Sequence, residues 1–89
     1  MKLTSIQQDI MDEMYFVISF PKLMEAIHIS SDDIRNNLLL LMNEKLIDRM
    51  RFNQSVNDYI LFENNFERIS DQDYFVATKA GLLIMHSQS

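Results

Sequence analysis

The chain has 89 residues, of which 47% are hydrophobic and 24% charged, and this composition excludes an intrinsically disordered protein. Its length allows one hydrophobic core, so we expect residues 1–89 to fold as a single domain. Eight lysines and arginines against thirteen aspartates and glutamates give a net charge of −5, which opposes non-specific binding to nucleic acid.

The sequence predicts a cytoplasmic protein that makes no membrane contact. It has no cysteine, and no apolar run approaches the roughly 18 residues that a membrane helix needs. Asp9, Asp12 and Glu13 come early in the chain, where a signal peptide would have a basic start and a continuous apolar run.

Three helices are predicted in the first half of the chain. Apolar residues recur at helical spacing from residue 4 to about residue 19, where Thr4 and Ser5 provide a cap. Pro21 fits the first turn of a short second helix that ends near His28. The hydroxyls and carboxylates of residues 30–33 suit the start of a third helix, which runs to residue 44 or 45.

The second half predicts strands followed by a helix. Apolar and charged residues alternate from Ile47 to Phe52, as in a half-buried strand, and residues 74–78 are rich in aromatic and β-branched side chains. Residues 79–86 predict a C-terminal helix. Within the long insertion of residues 53–73, residues 59–63 predict an extra strand, although the spacing of Tyr59, Phe62 and Phe66 also fits a helix face.

This order of elements is accompanied by a resemblance in sequence. Residues 23–34, Leu-Met-Glu-Ala-Ile-His-Ile-Ser-Ser-Asp-Asp-Ile, resemble the helix-turn-helix of MarR-type and related bacterial transcriptional regulators. Residues 44–49, Glu-Lys-Leu-Ile-Asp-Arg, resemble the family's Gly-Leu-Ile-x-Arg entry into the wing, and residues 74–82 its Tyr-x-x-x-Thr-x-x-Gly-Leu exit. The resemblance implies an α+β winged-helix fold with a three-helix core, a β-hairpin wing carrying a long insertion, and a C-terminal helix.

The chain departs from the family pattern at two turns and in the wing. His28 and Lys45 stand where family members usually carry glycine, so both turns must be made by residues that seldom adopt a positive φ. The insertion of residues 53–73 is longer than a typical wing, which places the wing's usual minor-groove role in question.

The resemblance also implies that the exposed face of the third helix enters the major groove of DNA. Ile34, Leu38, Leu41 and Met42 lie on the opposite, core-facing side at helical spacing. The residues whose amide, guanidinium or ammonium groups would contact double-stranded DNA are Arg35, Asn36, Asn37, Asn43, Arg49, Arg51 and Lys79. In the alternative interpretation, Asp32 and Asp33 cap the helix, the asparagines are solvated and the arginines lie over the sheet.

Leu39 and Leu40 have no place in the core, because the five apolar residues from Leu38 to Met42 cannot all face one side of a helix. They indicate an interface with a second copy or with another protein, or else a surface covered by the insertion or by the first helix.

Two functional hypotheses therefore stand. The resemblance implies a small transcription-regulator-like DNA-binding domain that acts as a dimer. The charge and the two leucines favour an acidic winged-helix module for protein–protein interaction or dimerisation that does not bind DNA. We expect no enzyme, metal or cofactor, since His28 and His86 lack metal-ligand spacing and no phosphate loop or nucleophile motif is present.

Overall fold

The computed structural model describes residues 2–87, which form four helices and four strands. The helices are α1 (Ser5–Asp12), α2 (Phe20–Ala26), α3 (Ser31–Asn43) and α4 (Lys79–Ser87). The strands are β1 (Ile18–Ser19), β2 (Ile47–Asn53), β3 (Asp58–Leu61) and β4 (Tyr74–Ala77). The prediction of an α+β fold is confirmed.

The strands form one antiparallel sheet in the order β1-β4-β2-β3. Ile18 lies opposite Phe75, and β2 pairs with β4 on one side and with β3 on the other. Because side chains alternate between the two faces of a strand, Ile47 and Phe75 share the face that packs against the helices, and both are buried. β3 is left at one edge of the sheet.

A single cluster of buried apolar residues joins the helices to the inner face of the sheet. Helix α3 contributes Ile34, Leu38, Leu41 and Met42, the four residues that its periodicity predicts. The start of α3 is also as predicted, because the Ser30 hydroxyl accepts a hydrogen bond from the backbone N–H of Asp33 at 3.1 Å. The predictions for α2, β2, β4 and α4 agree with the structure to within a few residues.

The prediction of a first helix reaching residue 19 is wrong, because α1 ends at Asp12 and residues 18–19 form β1. The Met14 carbonyl accepts a hydrogen bond from the Ala77 N–H at 2.9 Å, and the Phe20 N–H donates to the Asp73 carbonyl at 3.0 Å. Between these contacts, Ile18 and Ser19 lie extended along β4. β-Branched Val17 and Ile18 suit that conformation.

The extra strand predicted near the centre of the insertion is confirmed, and it forms β3 at the outer edge of the sheet. The helical alternative for this segment is wrong. Residues 62–73 then return to β4 on the other side of β2. Within this return, Ile69 is buried in the core, whereas Phe66 is fully exposed.

The two turns that lack glycine are made differently. Lys45, which follows α3, has a φ of 59°, so a lysine adopts the left-handed conformation that glycine usually supplies. Among residues 2–87 the other non-glycine residue with positive φ is Asn57, and the turn at His28 is therefore made without a left-handed residue.

Candidate functional site

Arg49 lies at the centre of a buried network beneath the insertion. Its Nε and Nη2 donate to the two carboxylate oxygens of Asp73 at 2.9 and 2.8 Å, and the two side chains are 1% and 0% exposed. The same guanidinium donates to the backbone carbonyls of Asn64, Glu67 and Arg68 at 2.8–3.2 Å. All five N–H groups of the Arg49 guanidinium thus have partners, which leaves none for a phosphate or a base.

Arg51 completes the network from the next inner-face position of β2. Its Nε donates to the Asp73 carboxylate at 3.0 Å, and its Nη2 lies 3.0 Å from the Glu67 carboxylate. The guanidinium stacks on the ring of Phe62, 3.7 Å from the ring centroid. Arg51 therefore also binds the insertion.

The surroundings of Asp73 favour its charged form. Burial raises the pKa of this carboxyl, but the hydrogen bonds from Arg49, from the Ser70 backbone N–H and from Arg51 outweigh it and hold the pKa below its ordinary value of 3.8. The network therefore contains an ionised carboxylate between two guanidinium groups.

Arg35 is held on the surface of α3. Its Nε donates to the Ile69 carbonyl at 3.0 Å, its Nη1 lies 3.3 Å from the Asp32 carboxylate, and its guanidinium lies 5.0 Å from the centroid of the Phe20 ring. This arginine joins α3 to the end of the insertion. Of the residues predicted to contact DNA, the structure thus places all three arginines against the insertion.

The other residues predicted to contact DNA do not join this network. Asn37 donates its amide to the Asp33 carbonyl at 2.8 Å, within α3. Asn36 and Asn43 are exposed on α3, and Lys79 is exposed at the first residue of α4. The polar groups on the open side of α3 are therefore amides and carboxylates without a neighbouring cluster of cations.

The two leucines of α3 have different surroundings. Leu39 is half-buried, packs against the core and lines a cleft of about 390 Å³ between α3 and residues 65–69. Leu40 is 52% exposed. The insertion thus accounts for the partial burial of Leu39, whereas Leu40 remains exposed on the surface.

Phe66 forms an exposed aromatic edge of the same cleft and was not predicted from the sequence. It lies in an irregular segment, so no periodicity indicates which way its ring points. An aromatic ring that is open to solvent beside Leu39 adds apolar surface next to α3.

Carboxylates without an ion-pair partner flank this apolar surface. Asp33 and Glu44 are exposed at the two ends of α3, and neither forms an ion pair within residues 2–87. Asp32 lies 3.9 Å from exposed Arg68. The hairpin and the loop after it, residues 52–67, contain no lysine or arginine at all.

Within residues 2–87, no three histidine or carboxylate side chains are grouped closely enough to hold a metal ion. In the same part of the chain, no helix has the length and apolar character needed to cross a membrane. Comparisons with protein-family models, curated proteins and solved structures gave no significant match.

Proposed function

We propose that this chain is a winged-helix domain that associates with another protein through the open face of α3 instead of binding DNA. The observation that carries the proposal is the use of Arg35, Arg49 and Arg51 to hold the insertion. A DNA-binding domain needs such groups free for phosphates, because phosphate contacts supply most of the affinity for DNA.

The winged-helix assignment is supported by contacts between the two segments that resemble the family. The Thr78 hydroxyl donates to the Lys45 carbonyl at 2.8 Å, and the Thr78 N–H donates to the Leu46 carbonyl at 3.0 Å. Gly81 lies so close to Leu46 that a Cβ atom at residue 81 would overlap the Leu46 carbonyl oxygen. Thr78 and Gly81 of the second segment therefore have structural reasons to occur beside Lys45 and Leu46 of the first.

The choice of a protein partner follows from the surface chemistry. Phe66 is exposed at the edge of the cleft and Leu40 is exposed on α3, as is typical of residues that anchor a protein interface. Asp33 and Glu44 lie at the two ends of α3 and form no ion pair within residues 2–87. Two copies of this face would repel each other, whereas a partner with an apolar surface edged by lysine or arginine would be attracted.

Site-specific photo-cross-linking tests this proposal. A photoreactive phenylalanine analogue is placed at Leu40 or at Phe66, and at Leu83, an exposed control position on α4. We expect the positions 40 and 66 to cross-link to the same protein in cells that express the chain, and Leu83 not to do so. Charge reversal by Asp33→Lys and Glu44→Lys should abolish the products.

Two results would contradict the proposal. The first is cross-linking of Leu40 and Phe66 to nucleic acid. The second is an equal yield of the same products from the Leu83 control, because the contact would then be independent of α3.

A further inference from the structure

The edge strand β3 presents a second surface, separate from the face of α3. It pairs with β2 on one side and has no neighbouring strand on the other side within residues 2–87. Tyr59, Ile60 and Leu61 are each at least 36% exposed. An open strand of this kind can accept hydrogen bonds from a further extended chain.

The pairing with β2 fixes which backbone groups face outwards. The Phe62 N–H donates to the Arg49 carbonyl at 2.8 Å, so these two residues form a hydrogen-bonded pair. Such pairs alternate along an antiparallel ladder, and Ile60 therefore bonds to β2, while the N–H and C=O groups of Tyr59 and Leu61 point away from the sheet. The Tyr59 N–H is occupied by the Asp58 carboxylate at 2.7 Å.

The side chains of Tyr59 and Leu61 lie on the sheet face opposite the helices. There the Tyr59 ring contacts those of Phe52 and Tyr74 edge-on, with centroid distances of 5.3 and 4.8 Å. A strand added beside β3 would extend this apolar face with its own alternate side chains.

Carboxylates stand at both ends of the edge. Asp58 begins β3 and Glu63 follows it by two residues, and neither has an ion-pair partner within residues 2–87. We propose that β3 binds an extended segment of a partner protein that carries apolar residues opposite Tyr59 and Leu61 and a lysine or arginine opposite Asp58 and Glu63. The bound segment becomes the fifth strand of the sheet.

A second copy of this chain fits the edge less well. In the antiparallel register that places Ile60 opposite its counterpart, Asp58 of one copy lies opposite Phe62 of the other, one residue from Glu63, at each end of the paired strands. Like charges that close oppose association, and each copy carries a net charge of −5. A basic segment would instead be attracted by both carboxylates. A cation that pairs with Asp58 also releases the Tyr59 N–H from the Asp58 carboxylate, so that this N–H can bond to the added strand.

The test uses a capped, fluorescently labelled peptide, Lys-Thr-Val-Thr-Val-Lys, whose valines fall opposite Leu61 and Tyr59 and whose lysines fall opposite Glu63 and Asp58 in the antiparallel register. Binding to the full chain is followed by fluorescence anisotropy, and the contacted amides are identified by ¹⁵N NMR. We expect the largest shifts at Tyr59 and Leu61, and an affinity that falls as salt is raised. Methylating both valine nitrogens should weaken binding about tenfold or more, because two backbone hydrogen bonds are lost.

Variants of the protein provide the matching controls. Leu61→Pro removes one outward N–H without touching the ladder to β2 and should weaken binding of the peptide about fivefold, whereas Leu61→Val should stay within about twofold of wild type. A thermal melt of Leu61→Pro checks that the sheet persists, and the methylated peptide tests the same contact on unaltered protein.

Three outcomes would overturn the inference. The methylated peptide could bind as well as the parent, or a peptide with glutamates in place of both lysines could bind equally. The amide resonances of Tyr59 and Leu61 could also shift with protein concentration alone, which would assign the edge to a second copy.

Discussion

Asp73 is the residue whose removal has the largest predicted effect on stability, because it is the one carboxylate within residues 2–87 that contacts both Arg49 and Arg51. Asp73→Asn leaves Arg49 buried without a counter-charge. Breaking one side of a buried ion pair costs about 3–5 kcal/mol. We expect a loss of that size in urea unfolding, and little change for the control Asp71→Asn, whose side chain is exposed and unpaired within the same residues.

The same carboxylate gives the fold a defined dependence on pH. Burial raises the pKa of Asp73, but its hydrogen bonds lower it further, so the pKa in the folded chain lies below the ordinary 3.8. The resulting stabilisation is present above pH 3.8 and is lost as the pH falls through the folded pKa. Asp73→Asn should lack this part of the acid transition, and an acid transition identical to that of wild type would contradict the assignment.

Lys45 and His28 offer a matched pair of glycine substitutions, since both stand where the resembling family carries glycine. Lys45 has a φ of 59°, which costs a non-glycine residue about 1–2 kcal/mol. We expect Lys45→Gly to raise the free energy of unfolding by about 1 kcal/mol, because relief of this strain exceeds the cost of the flexibility that glycine adds to the unfolded chain. His28→Gly should lower it, because no left-handed strain exists there to relieve, and stabilisation by both substitutions would contradict the account.

At the scale of elements, α4 is positioned by the absence of a side chain at Gly81. Alanine is the better helix former by about 1 kcal/mol, but its Cβ would overlap the Leu46 carbonyl oxygen and crowd the Met11 side chain. We expect Gly81→Ala to destabilise the fold by about 1–3 kcal/mol, as overpacking does. The control Leu83→Ala, on the exposed side of the same helix, should change the melting temperature little.

The elements that carry their own pattern were predicted from the sequence. Helix α3 has its apolar residues at helical spacing and a serine at its start, and β2 alternates from Ile47 onwards. The boundary between α1 and β1 was missed because it depends on hydrogen bonds to β4, about sixty residues further along the chain. Local helical spacing continues through Val17 and Ile18, so it cannot indicate where that pairing begins.

The candidate site was predicted in part for a similar reason. Leu40 was identified because a helix cannot bury five successive apolar residues. The position of Phe66 and the partner of Arg49 both depend on the path of residues 62–73, which has no periodic pattern. An arginine that anchors a loop and an arginine that binds DNA have the same signature in a sequence, and they differ in structure through the carboxylate that faces them.

For the whole molecule, the distribution of charge supports the proposal of a protein partner over DNA. Three of the four arginines hold the insertion, and the other, Arg68, lies near Asp32. Within residues 2–87, Asp32, Glu67 and Asp73 are the carboxylates that pair with arginine, and most of the other acidic residues are exposed. A surface of this kind repels a phosphate backbone and attracts a basic protein.

The most direct test of this account is a fluorescence-anisotropy titration of the full chain against a pool of mixed-sequence DNA duplexes at low salt. We predict no binding by the wild type and weak, salt-sensitive binding by the charge-reversed variant Asp33→Lys/Glu44→Lys. The variant serves as the positive control, because its binding shows that the assay detects a basic α3 face. Saturable binding of wild-type protein that weakens steeply with salt would contradict the account, because the acidic surface would then not keep the phosphates away.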